Sequence, residues 1–410
     1  MVKLLFVCSV GVFMVFGMFS SVRAQERPNR PPTRGQIRKM FKDLDGLSDA
    51  ERKARIQELY EKYGKPMLKR LTKAKYQPGT ADENTQVYEF KTVPKRNLKI
   101  YIDFPPNWKK TDKRVAIVFW HGGGFTQGNA GQFYHQAKYF NKRGLVVARP
   151  EYRIRDLDGT MPHKAMEDGI SAMRWFKARA DEFGIDPDRI IVGGGSAGGH
   201  LAAAIGTVDA DALAKMGFVG GEDDQSISIK PAAMLLYNPF VDFFEPLNAR
   251  HVPEESLMNG VDPRDMIPIY HTISPIELVN KNTPPSIIQF GTRDAFYPQQ
   301  IRWIVACREL GLTIHDYVYK GEVHSWYNNS PHVEYTTDNV NKFLVQVGLL
   351  SPEPKVELPH KHINPRRAEI QQSKYDKKTD WDERERFQNY IREHNIQLIP
   401  YKHYEKGNEE

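Results

Sequence analysis

The sequence predicts an α/β fold: a mostly parallel sheet with helices on both faces, extended by a helical N-terminal segment and a charged C-terminal one. Three observations carry this. From residue 87 onward, short apolar β-branched runs alternate with helical stretches, the pattern of strand–helix–strand units. The runs from residue 114 on are nearly all apolar, as strands covered on both faces must be. A chain of 410 residues with 40% hydrophobic content can fill one large core.

The elements follow in order. In residues 1–24, Lys3 supplies a positive start, Leu4 to Phe19 is apolar, and Val22 and Ala24 are small. This reads as a Sec-type signal peptide cleaved after Ala24. The run is short for a bilayer span, which needs about 20 residues. A secreted or periplasmic chain with no stable membrane anchor is expected. Cleavage removes Cys8 and leaves Cys307 alone, so no internal disulfide is expected. Cys307 lies on a predicted helix without a glycine-rich or basic setting and reads as a small buried hydrophobe, not a nucleophile.

Residues 25–86 begin Pro- and Arg-rich, a composition of disorder over 25–36. Two charged helices follow, with Ile37, Met40, Phe41 and Leu44, then Ile56, Leu59, Tyr60 and Tyr63, at helical spacing. Ser48 with Glu51 predicts a capping box at the second helix. No chemistry is visible in this segment.

Within 87–350, strands are predicted over 98–104, 114–120, 144–150, 189–194, 232–238, 286–291 and 315–320. Helices are predicted over 164–183, on Ala172, Trp175 and Phe176, and over 297–310. The polar stretch 207–230 and the irregular stretch 240–275 read as loops over one edge of the sheet that shape a pocket. Residues 351–410 are Pro- and charge-rich, with a helical patch at Phe387, Tyr390 and Ile391. This is a tail able to fold back on the body. The net charge of +7 sets Lys+Arg 58 against Asp+Glu 51. With no block of like charge, nucleic acid is not an expected partner.

The chemistry centres on Gly194-Gly195-Ser196-Ala197-Gly198, a G-x-S-x-G match between a strand and an Ala-rich helix. That context is a nucleophile elbow. Gly194 and Gly198 are needed because the turn leaves no room for side chains. Ser196 is held in strained geometry with its hydroxyl exposed, and the helix N-terminus favours negative charge beside it. A P-loop is excluded, since no Gly-Lys-Ser/Thr follows. A dinucleotide loop on Gly193, Gly195 and Gly198 would sit mid-sheet, with no acidic residue ending a strand about 20 residues later.

A serine nucleophile needs a base and oxyanion donors. His121-Gly122-Gly123-Gly124 follows a strand directly. The N–H groups of Gly123, Gly124 and Ala197 are the predicted donors. His121 and Gly122 are read as structural support, with His121 holding the loop by a side-chain hydrogen bond. The acid and base should follow the serine in that order. Asp294 ends one predicted strand and His324 follows the last; Asp242, Asp316 and His332 are the rivals. The set predicts acyl transfer from an ester without metal or cofactor. His360 and His362, in the Pro-rich tail, read as solvent-exposed and idle. Trp120, Phe125, Phe133 and Tyr134 are candidates for an acyl or sugar pocket, half of them being read as core.

On these motifs the chain from residue 95 to 350 resembles α/β-hydrolases of the hormone-sensitive-lipase-like esterase group. It is especially similar to the secreted bacterial feruloyl- and acetylxylan-esterase-like branch. His121 to Phe125 and Gly194 to Gly199 carry the resemblance. Tyr152-Arg153, Pro162 and Asp168 match structural parts of the pattern. The resemblance implies an α/β-hydrolase fold and ester substrates, with acetyl or feruloyl groups on carbohydrate expected. Two departures stand out: Gly195 occupies a usually acidic position, and Ile154-Arg155-Asp156 replaces the usual Ala-Pro-Glu. Competing readings are a serine exopeptidase or amidase on the same fold and a non-catalytic binding protein. The first usually needs a large β-rich domain, for which there is no room. The second usually lacks a catalytic residue, and here none is missing.

Overall fold

The computed structural model describes residues 48, 51, 54–55, 58, 76–208, 224–243, 269–361 and 398–399. The chain divides into two units, Met1–Ala74 and Lys75–Glu410. Several expectations fall outside the described residues. They are the leader 1–24, the segment 25–36, the helical positions Ile37, Met40, Phe41, Leu44, Ile56, Leu59, Tyr60 and Tyr63, most of 207–230 and 240–275, and the patch at Phe387, Tyr390 and Ile391.

In the first unit the capping box forms. Ser48 N–H donates to Glu51 Oε2 at 3.0 Å, and Glu51 N–H donates back to Ser48 Oγ at 3.4 Å. This satisfies two of the donors a helix start leaves open.

The second unit is built on nine strands: β1 (Thr85–Val93), β2 (Arg96–Asp103), β3 (Arg114–Trp120), β4 (Val146–Pro150), β5 (Ile185–Gly195), β6 (Ala233–Tyr237), β7 (Ser286–Arg293), β8 (Ile314–Val323) and β9 (Leu398–Ile399). Their order in the sheet is β1-β2-β4-β3-β5-β6-β7-β8-β9. The β1–β2 and β2–β4 pairs are antiparallel and every other pair is parallel. The mostly parallel sheet is thus as predicted. β1 was not singled out from sequence, because Glu and Lys interrupt its apolar residues. β9 pairs Leu398 with Val318, bringing that end of the chain to the sheet edge.

Helices α1 (Tyr134–Lys142), α2 (Arg155–Asp158), α3 (Pro162–Ala178), α4 (Ala197–Thr207), α5 (Pro275–Leu278), α6 (Tyr297–Glu309) and α7 (His332–Gln346) join them. Strand alternation divides the core. Ala116, Val118 and Trp120 of β3 face the helices α3, α4 and α6, while Val115, Ile117 and Phe119 face α1 and α7. The sheet is therefore buried on both sides, which is why its central strands are apolar throughout. Cys307 on α6 is buried, and burial pushes its thiol up to about 12. That suits the packing role read from sequence.

The antiparallel edge is pinned by a buried ion pair. Arg149 on β4 and Asp103 on β2 are both fully buried and meet at 2.7 Å. Arg149 also donates to the carbonyls of Ala130 and Thr80, and Thr85 Oγ1 donates to Asp103 at 2.6 Å. Every polar atom of the pair that must leave water has a partner, which is the condition for such a pair to persist. Asp168 is placed in the same way, fully buried between Arg153 and Lys91 at 2.7 and 3.0 Å.

Two imidazoles are buried and neutral. Burial lowers His121 to about 4 and His200 to about 3, each partly offset by a hydrogen bond to a backbone carbonyl. His121 stacks on Tyr152 at 4.2 Å.

Two outcomes are expected. Arg149→Met leaves Asp103 charged and unpaired in the core and should cost about 3–5 kcal/mol in urea unfolding. The second concerns pH. The unfolded chain takes up the two histidine protons near pH 6.5, whereas the folded chain resists them until about pH 4 and 3. Stability should therefore fall as pH drops below 6.5, by up to ~1.4 kcal/mol per pH unit for each histidine. His200→Asn should flatten that slope in calorimetry at stepped pH.

Candidate active site

The site is assembled at the C-terminal ends of the parallel strands. β5 runs into α4 through Ser196, whose backbone sits at φ 56° and ψ −119°. A non-glycine residue there is strained. Its neighbours keep it there. A Cβ on Gly194 would lie 2.4 Å from the backbone of Gly198, and one on Gly198 would lie 2.1 Å from the Trp120 carbonyl oxygen. Both glycines are thus required for the reason read from sequence. Gly195 also has no room: a Cβ there would fall 1.7 Å from the Tyr327 hydroxyl. This accounts for the missing acidic residue before the serine.

Ser196, His324 and Asp294 converge. Ser196 Oγ lies 2.8 Å from His324 Nε2. Asp294 Oδ2 and Oδ1 lie 2.9 and 3.0 Å from His324 Nδ1. The Asp294 side chain is fully buried and that of His324 is 12% exposed. Phe296 N–H donates to Asp294 Oδ1 at 2.8 Å, fixing the carboxylate. Nδ1–H therefore donates to Asp294, and Nε2 is left to accept from the serine.

The rivals are engaged elsewhere. Asp242 pairs with Arg302, Asp316 lies 2.6 Å from Arg308, and His332 lies 3.2 Å from Glu322. His360 is exposed but not idle, as it meets Glu334 at 2.6 Å and Ser330 Oγ at 3.0 Å. His362 lies outside the described residues.

The glycine loop after β3 is held through its carbonyls and through the Gly122 N–H. His121 Nδ1 lies 2.8 Å from the Gly122 carbonyl, and Tyr152 O–H donates to the His121 carbonyl at 2.7 Å. The Gly123 carbonyl accepts from Thr126 and Gln127. Gly123 and Gly124 turn at φ 121° and 62°, values that favour glycine. The N–H groups of Gly123, Gly124 and Ala197 have no partner among the described residues. Ala197 opens α4, so its N–H points out of the positive end of the helix.

The aromatic expectations hold in part, two of the four being core. Trp120 and Phe133 are core residues, the latter stacked on Phe119 at 4.7 Å. Tyr134 donates to Asp82 at 2.9 Å and lies away from the serine, beside the Arg149 guanidinium. Of the four, Phe125 meets one of the site's aromatics, Phe243, at 6.3 Å. The aromatics that do line the site were missed. Phe296 stands edge-on to His324 at 5.0 Å, Phe240 meets Phe296 at 5.2 Å, and Phe243 stacks on Tyr270 at 4.5 Å. All four are half-buried. The signal was available: Phe240 and Phe243 follow β6 and Phe296 follows β7, and strand C-termini are where such folds place ligands. Asn238 was also missed. It is fully buried at φ 34°, with Nδ2 at 3.1 and 3.3 Å from the two ring nitrogens of His324.

Comparison with known proteins bears on the family and the fold. The BD-FAE family profile matches residues 98–302. The apo form of Thermogutta terrifontis esterase 2 superposes with a TM-score of 0.58 at 31% identity, covering 66% of this chain and 97% of that one. Its propionate-bound form gives a TM-score of 0.58 at 30% identity, with the same coverage. Rat arylacetamide deacetylase is 36% identical over 139 residues, covering 31% of this chain and 32% of that protein. Esterase LipC of Mycobacterium tuberculosis is 28% identical over 230 residues, covering 50% and 52%. The chain thus spans about a third to a half of the length of these curated relatives. The fold is that of the α/β-hydrolases, and the chain belongs to the BD-FAE family.

Proposed function

We propose that this protein is an exported serine esterase that hydrolyses short-chain carboxylic esters. The observation that carries this is the unbroken line from Ser196 Oγ to His324 to buried Asp294, at 2.8 and 2.9 Å. It lies beside a loop whose Gly123 and Gly124 N–H groups have no partner among the described residues. As an ester carbonyl enters, His324 Nε2 takes the Ser196 proton and Oγ bonds to the carbonyl carbon. The carbonyl oxygen becomes an oxyanion facing Gly123, Gly124 and Ala197 N–H. These donors are already aimed and need no reorganisation, which is what makes such a site effective. Collapse breaks the bond to the alcohol oxygen, which leaves with the proton from Nε2. Water then gives a proton to Nε2 and attacks the acyl carbon. The acid departs, and Ser196 regains its proton. Asp294 orients the imidazole throughout and stabilises its charged form.

The short-chain reading is supported by the structural relative, esterase 2, described with propionate and with butyrate bound. Acetyl or feruloyl groups on carbohydrate are the substrates we favour. The half-buried aromatic belt beside His324 offers an apolar and stacking surface, and the signal-like Leu4–Phe19 run fits export toward extracellular polymers. A second reading, amide hydrolysis, is favoured by one observation: curated relatives are named arylacetamide deacetylase. The same acyl-enzyme chemistry would serve it, with an amine leaving instead of an alcohol.

The tests are direct. Ser196→Ala should lower kcat on p-nitrophenyl acetate by about 10⁶-fold and Asp294→Asn by about 10⁴-fold. Equal turnover by wild type and Ser196→Ala would overturn the esterase reading. A rate on p-nitroacetanilide exceeding that on the matching ester would favour the amidase, and acetylated or feruloylated oligosaccharides test the substrate class.

A further inference from the structure

We propose that Gln132 is a positioning residue for acyl transfer, setting the oxyanion loop against the histidine loop through its carboxamide. The inference rests on the esterase reading above. Gln132 follows the glycine loop, just ahead of α1. Its Oε1 accepts the Gly122 N–H at 2.5 Å. Its Nε2 donates to the Tyr327 hydroxyl at 2.9 Å and to Asn328 Oδ1 at 3.0 Å. Tyr327 and Asn328 belong to the 3₁₀ turn Trp326–Asn328, which Ser325 joins to His324. Asn328 in turn donates to the Ser325 carbonyl at 3.0 Å.

Three parts of the site therefore meet at one side chain. The first is the oxyanion loop, through Gly122. The second is the segment carrying His324, through Tyr327 and Asn328. The third is the elbow itself, because the Tyr327 hydroxyl occupies the space beside Gly195 where a side chain would stand. Tyr327 is buried and packs between Phe133 and Tyr237 at 5.9 and 4.9 Å, so it gives Gln132 a rigid point to hold.

The loop needs such an anchor. Three successive glycines have little intrinsic preference for one conformation. Gly122 N–H is consumed by Gln132, which removes it as an oxyanion donor and fixes the peptide that leads to Gly123. The two following N–H groups are aimed by that anchor. The carboxamide is suited to this because it offers an acceptor at one end and two donors at the other. The reversed orientation would set its NH₂ against the Gly122 N–H, so the network selects one orientation. Glutamate in its place could still accept from Gly122 but would face Asn328 Oδ1 without a proton.

The test uses the full chain with Gln132→Ala, Gln132→Glu and Ser196→Ala. Titration with paraoxon counts active sites, so that kcat is expressed per competent molecule. Gln132→Ala should lower kcat on p-nitrophenyl acetate about 10- to 100-fold, with KM nearly unchanged. Its preference for the ester over the corresponding thionoester should also shrink, because the thiocarbonyl sulfur accepts hydrogen bonds poorly and depends less on the donors. Gln132→Glu should keep most of that preference and recover part of kcat. Wild-type kcat per titrated site and an unchanged ester-to-thionoester ratio in Gln132→Ala would overturn the proposal. So would a loss that appears only as fewer titratable sites. If wild type shows no hydrolysis beyond Ser196→Ala, the esterase reading itself falls and this inference with it.

Discussion

Everything at this site depends on a backbone contact that no side chain can enter. Gly198, the second residue of α4, lies so close to the end of β3 that a Cβ would stand 2.1 Å from the Trp120 carbonyl and 2.6 Å from that of His121. Gly194 is equally close to Gly198. The elbow is thereby clamped against the strand that carries the glycine loop. Ser196 and the N–H groups of the glycine loop are set at one distance because two backbones touch. The strained φ of Ser196 persists because the clamp and the hydrogen bond from its N–H to the Tyr237 carbonyl leave it no other basin.

The sheet register brings the remaining groups to the same rim. Trp120 pairs with Gly194, Gly195 with Tyr237, and Tyr237 with Gln289, so β3, β5, β6 and β7 end nearly level. β8 is the exception and its irregularity is useful. Gly291 pairs with Tyr319, yet two residues later Arg293 pairs with Val323. The extra residues of β8 form a bulge, over which Gly291 passes with no room for a Cβ against Glu322. Because Arg293 and Val323 are partners, the next residues are neighbours as well, and these are Asp294 and His324. The Asp294–His324 pair is a product of that bulge.

This shows what could be read from sequence and what could not. The central strands, the elbow and the glycine loop were legible because each is a local pattern. Apolar runs mark buried strands, and glycines mark backbone positions without space. Asp294 and His324 were legible as strand-end residues in the correct chain order. The bulge was not, since β8 was expected to stop at residue 320 and the pairing that carries it to Val323 is non-local. β1 was missed because an edge strand has one wet face and reads as polar. The aromatic wall was missed because Trp120 and Phe133 show the same apolar texture whether they face core or ligand, which left pocket and core residues undivided. Only the position of Phe240, Phe243 and Phe296 after strand ends separates them.

The imidazole illustrates how non-local groups complete what local motifs begin. Both nitrogens of His324 are committed in the ring plane, one to Asp294 and one to Ser196. The Asn238 amide is nearly equidistant from both nitrogens, so it lies over the ring face and not in line with either lone pair. Phe296 meets the ring edge-on. Carboxylate, amide and phenyl thus bound the imidazole from three directions, which restricts rotation about its χ2 while leaving Nε2 to Ser196. Asn238 can take this place because its own backbone is held at φ 34° by the hydrogen bond from its N–H to the Gln289 carbonyl, one more consequence of the level strand ends.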